Sequence, residues 1–162
     1  MFKNLILLIL LIMISRFIGL PANFSPLLAL AVFMPRLTND ARIQNLLPVS
    51  IVAFTNVFLE QVNIIILATI LLVFAIAPTV SRLSRSLLWG SLGTVFIWYI
   101  LVNGAVWIVG GSSFVETYIA AIPFDLKLAI STGLYVVLFY SAERFWMSYS
   151  ESNIKILDRF KN

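Results

Sequence analysis

Ser86-Leu87-Leu88-Trp89-Gly90-Ser91-Leu92-Gly93-Thr94-Val95-Phe96-Ile97-Trp98-Tyr99-Ile100-Leu101-Val102-Asn103-Gly104-Ala105-Val106-Trp107-Ile108-Val109-Gly110-Gly111-Ser112-Ser113-Phe114-Val115 runs from end to end without a charge. About 20 apolar residues cross the roughly 30 Å hydrocarbon core as a helix, because only a helix satisfies its own backbone groups there. This stretch therefore predicts a membrane span, and the uncharged stretch from Gln61 to Ser81 predicts a second. The rest of the chain agrees with that class. Of its 162 residues 61% are apolar and 11% charged, and the mean hydropathy is +1.03. Such a composition excludes a soluble enzyme, a nucleic-acid reader and a disordered tail.

Working outward, Asn4 to Ser15 is apolar and continues past Arg16 to Leu20, giving a first span that stops at Gly19 and Pro21. A signal peptide has a similar apolar core. Here that core is followed by Arg16 and bulky residues instead of a small-x-small cleavage site, so a retained span is expected. Three shorter segments remain. Phe24 to Met34 lies between Pro26 and Pro35, Leu46 to Leu59 contains Pro48, and Leu126 to Ala142 follows Pro123. The first two are short for straight spans, and predict either short crossings packed against protein or a re-entrant pair.

Spans placed at 4–20, 24–36, 46–59, 62–81, 87–110 and 123–142 can be tested by charge. The tails and even-numbered loops then hold Lys3, Arg36, Arg42, Arg82, Arg85, Arg144, Lys155, Arg159 and Lys161, while the odd-numbered loops hold Glu60 and Glu116 and no basic residue. That asymmetry predicts cytoplasmic N- and C-termini. Arg16 and Lys127 fall near outer ends, where they can snorkel. Trp89, Tyr140 and Trp146 fall near the inner surface, and Trp107 and Tyr118 near the outer, as interfacial belts require. The expected architecture is an all-α polytopic membrane protein: a single six-span domain over 1–142 and a cytoplasmic amphipathic tail over 143–162 resting on lipid.

No catalytic constellation is visible. The chain has no Cys and no His, no clustered-Gly phosphate loop and no nucleophile-base pattern, so neither an enzyme, nor a cofactor, nor a metal site is expected. Net charge is +4, and on so apolar a chain this points to anionic lipid rather than nucleic acid.

The informative residues are polar groups placed where they are costly. Glu60, Glu116 and Asp125 gather on the outer side with Lys127, Asn63 and Tyr118, and suit either a polar solute or plain solvated loops. Asp125 follows Pro123 in the first turn of the sixth predicted span, where capping of the helix dipole would also explain it. Asn103 and Trp107 are four residues apart on one helical face, a pairing that can hold a ring-shaped solute or simply bond a neighbouring helix. Ser86, Gly90 and Thr94 form a row of small residues that predicts close helix packing. Pro21, Asn23, Ser25 and Pro26 prevent a regular helix through the outer loop, which can be a turn or the wall of a site.

Arg16-Phe17-Ile18-Gly19-Leu20-Pro21-Ala22-Asn23-Phe24-Ser25-Pro26-Leu27-Leu28-Ala29-Leu30-Ala31-Val32-Phe33 resembles the R-x-x-P-P-N-F-[ST]-P-x-x-A-L-A-L-F opening of a bacterial integral membrane family of unknown function. Val102-Asn103-Gly104-Ala105-Val106-Trp107 and Tyr118-Ile119-Ala120-Ala121-Ile122-Pro123-Phe124 resemble its T-N-F-x-V-W and Y-x-x-A-I-P-F segments. Ala22 stands where that pattern has its second proline. The family in turn is similar to the S components of energy-coupling factor (ECF) vitamin transporters, six-helix proteins with cytoplasmic termini. Leu5 to Ile14 lacks the small-xxx-small pattern by which S components commonly dock. What the resemblance implies is a bacterial inner-membrane protein capturing a small organic solute, a vitamin or cofactor precursor, in an outward-facing cavity.

Asn23, Asn103, Trp107 and Asp125 are the expected solute contacts. With no nucleotide-binding motif in the chain, uptake would require an energising membrane partner. The competing expectation is a non-catalytic accessory or scaffold subunit of a larger membrane complex, with a closed, filled bundle and no cavity.

Overall fold

A computed structural model describes residues 12–18, 24–59 and 62–159, the last ten as backbone alone. Residues 12–15 are helical and precede five helices: α1 (Leu27–Leu37), α2 (Ala41–Asn56), α3 (Ile64–Leu83), α4 (Leu87–Gly110) and α5 (Phe114–Arg159). No strand occurs among the described residues. Three helical stretches, Ile64–Leu83, Leu87–Gly110 and Phe114–Tyr149, are long and apolar enough to cross a membrane, with mean hydropathies of 2.6, 1.9 and 1.5. Most of the first predicted span, and with it Pro21, Asn23 and Glu60, lies outside the described residues.

The core is organised around the shortest helix. At its length α1 rises only about 17 Å, roughly half the hydrocarbon thickness, so it cannot face lipid along a full crossing. It is instead enclosed: every residue from Leu27 to Met34 is buried, and α1 contacts all four other helices. Such enclosure lets the ends of a short apolar helix meet protein. Its boundaries follow from local chemistry. Pro26 is the N-cap, Ser25 Oγ accepts from Leu27 N, and Pro35 removes a backbone donor two residues before the helix ends.

The other boundaries are set by side chains at the helix ends. Asp40 accepts from Arg42 N to start α2, and Asn63 from Ile65 N to start α3. Ser86 accepts from Trp89 N to start α4, and Gly111, at φ 69°, closes it in the left-handed conformation that a side chain would disfavour. In the row of small residues Gly90 and Thr94 pack closely as expected, whereas Ser86 is exposed and serves as the cap. Gly90 packs against α3 so closely that a β-carbon there would sit 3.1 Å from Ser81 Cα, and Thr94 is fully buried.

The last helix differs from the sequence expectation. The sequence predicts a span beginning near residue 123 and a separate tail from 143, whereas α5 runs unbroken for 46 residues. It begins in a capping box: Ser113 Oγ accepts from Glu116 N and Glu116 Oε2 accepts from Ser113 N. Pro123 costs one intrahelical hydrogen bond but does not end the helix, which continues to Arg159.

Candidate functional site

The continuity of α5 changes what Asp125 is. Helix-dipole capping is overturned, because the residue lies eleven positions past Phe114, about 17 Å along the helix, where the backbone amides are already bonded. Its partners are on α4. Oδ2 accepts from Asn103 Nδ2 at 2.6 Å, and Oδ1 accepts from Trp98 Nε1 at 3.1 Å. Asn103 donates its other amide hydrogen to the Tyr99 carbonyl at 2.9 Å. Asp125 and Asn103 are 7% and 8% exposed and Trp98 is half-buried, so the triad is a largely buried polar connection between two helices long and apolar enough to span a membrane.

That connection lines a partly open cleft of about 560 Å³ between α4 and α5. Ile70, Val102, Val106, Ala120 and Phe124 supply apolar wall, Trp98, Asn103 and Asp125 the polar part, and Ser112 and Glu116 lie toward the α4–α5 turn. Around it the two helices are held by aromatic hydroxyls. Tyr118 donates to the Ile100 carbonyl at 2.7 Å and Tyr99 donates to the Tyr118 carbonyl at 3.1 Å. Gly104 leaves room for this pairing, since a β-carbon there would lie 3.2 Å from the Tyr118 hydroxyl. Phe74 meets Trp98 edge-on at 6.3 Å and fixes the indole from the α3 side.

Of the four predicted contacts, the structure brings Asn103 and Asp125 together and adds Trp98, which sequence reasoning missed. Trp107 does not line the cleft: it is 41% exposed and stands perpendicular to Phe114, with ring centroids 5.5 Å apart. The i, i+4 spacing that favours Trp107 describes one helix face, whereas the partner of Asn103 comes from another helix and straddles Trp98 and Asn103. Asn23 lies outside the described residues. The predicted outer cluster separates into distinct roles. Asn63 and Glu116 are helix-end groups, Tyr118 packs between helices, and the Lys127 ammonium lies 5.8 Å from the centre of the Phe124 ring. Among the described residues no group of three His, Cys, Asp or Glu side chains could hold a metal ion.

Comparison with curated proteins finds no match, and comparison with solved structures finds none either. Comparison with family models does find one, and it spans the buried α1, the cleft and the whole of α4: residues 1–152 match the family of unknown function DUF6580, to which this chain belongs.

Proposed function

We propose that this membrane protein captures a small organic solute in the α4–α5 cleft and presents it for uptake. The observation that carries the reading is the buried carboxylate of Asp125, held by Asn103 and Trp98, on the lining of a cleft of about 560 Å³. A carboxylate inside a spanning helix is costly and marks solute or ion paths when it borders a cavity. The cleft volume falls within the range of about 300–1,000 Å³ usual for small-molecule sites, and it combines apolar walls with a few convergent polar groups. Positive-inside charge placement turns its mouth, at the α4–α5 turn, to the outer face of a bacterial inner membrane. The resemblance to S components adds a vitamin or cofactor precursor as solute class and an energising membrane protein as partner. The role is binding, without catalysis.

The test is purification from the native membrane in mild detergent, followed by mass spectrometry of attached proteins and of small molecules released on denaturation. A stoichiometric small molecule that is lost from Asn103→Ala is the expected result. A stoichiometric set of membrane proteins with no small molecule would overturn the reading and make the chain an accessory subunit.

A further inference from the structure

Resting on that reading, the floor of the cleft tells what kind of solute fits. Its hydrogen-bond donors are already engaged. Trp98 Nε1 serves Asp125 Oδ1, and the two amide hydrogens of Asn103 serve Asp125 Oδ2 and the Tyr99 carbonyl. Its acceptors are not all used. A carboxylate offers about four lone-pair positions, and Asp125 takes one hydrogen bond on each oxygen. Asn103, more than nine-tenths buried on the cleft lining, makes both of its side-chain hydrogen bonds through Nδ2, which leaves Oδ1 as a further acceptor. This orientation of the amide is the one a carboxylate dictates, because the reverse would set Oδ1 against an anion.

Charge points the same way. The two donors to Asp125 are neutral, and no Lys or Arg is among the lining residues, whereas Glu116 is. Lys127, two positions along α5 from Asp125, is turned over the Phe124 ring and does not line the cleft. A solute carboxylate or phosphate would therefore meet two carboxylates in the cleft, and the floor formed by Trp98, Asn103 and Asp125 would offer it no free donor. A protonated amine presents up to three donors and no acceptor, the complement of what the floor offers.

We infer that the cleft between α4 and α5 binds an organic cation bearing an N–H ammonium group, which is received by Asp125 and Asn103 Oδ1. Its hydrocarbon body lies against Ile70, Val106, Ala120 and Phe124. Glu116, nine positions back along α5 and about 14 Å toward the mouth, draws the cation inward by long-range attraction.

The experiment titrates purified protein with matched series of butyl, cyclohexylmethyl and phenethyl ammonium ions, the corresponding neutral alcohols, and carboxylates of equal chain length. Tryptophan fluorescence and thermal stabilisation report binding. Saturable binding of ammonium ions in preference to both other series is expected, with affinity weakened about tenfold or more in Asp125→Asn. Glu116→Gln guards against misfolding, because Gln serves equally at the third position of a capping box. It should weaken the same ions about two- to threefold, and less at high salt. Equal or tighter binding of alcohols or carboxylates, or a released native solute without an N–H cation, overturns the cation assignment and leaves solute capture standing. Absence of binding in all three series together with no released native solute overturns both.

Discussion

Two of the carboxylates on α5, Asp125 and Glu143, are treated in opposite ways by the structure. Glu143 is neutralised. It pairs with Arg36 at 2.8 Å, and that guanidinium lies 5.2 Å from the centre of the Tyr140 ring and 5.9 Å from that of Phe33. The pair ties the end of the buried α1 to α5, with Arg36 partly open to solvent, so its role is structural and its strength modest. Asp125 has only the neutral donors Trp98 and Asn103. A charge the protein balances within itself needs nothing from outside. One that it buries beside a cavity and holds with neutral donors has no counter-charge among those partners, and the proposed ammonium ion would supply it.

The largest expected effect comes from removing one support of the unbalanced charge. Asn103→Leu leaves the carboxylate buried with one donor, and should lower stability by about 2–3 kcal/mol in a detergent unfolding titration. Removing both partners is the sharper test. If Asn103→Leu/Asp125→Leu recovers most of that loss, Asp125 is a charge retained for function; if the double variant is as unstable as the single, it is a structural link like Glu143. Trp98→Phe deletes only the indole donor while keeping the ring against Phe74. A loss of about 1–2 kcal/mol is expected by the same titration. At the other end of α5, Glu143→Gln should cost about 1 kcal/mol or less, and the difference from wild type should shrink when the titration is repeated at high salt. Trp107→Ala should leave ammonium-ion affinity unchanged, because that ring packs on Phe114 outside the cleft. A clear loss of affinity would move the site outward from the Asp125 floor.

How far the site is legible in the sequence varies residue by residue. Asn103 and Asp125 stand out because polar groups are rare and costly in apolar surroundings. Trp98 does not, since an indole inside a span is ordinary until a carboxylate from another helix is seen against its N–H. Trp107 stands out by spacing along one helix, a rule that is blind to which helix lies opposite. Charge density in the sequence sets a tail over 143–162 apart, yet helical hydrogen bonding passes through residue 142 without interruption.

The sequence by itself determined the class of helices: uncharged stretches of spanning length, separated by charged residues, form helices long and apolar enough to cross a membrane. It also determined most helix ends, because Asn63, Ser86, Gly111 and the Ser113–Glu116 pair act on amides and carbonyls within a few residues of themselves. Only the tertiary structure decided that α1 is the enclosed centre and that Asp125 meets Asn103, 22 residues away, across the α4–α5 boundary. The physical reason is range. Capping and hydropathy operate over one or two helical turns, while the partner of a buried charge and the cavity beside it depend on which faces of distant helices pack together.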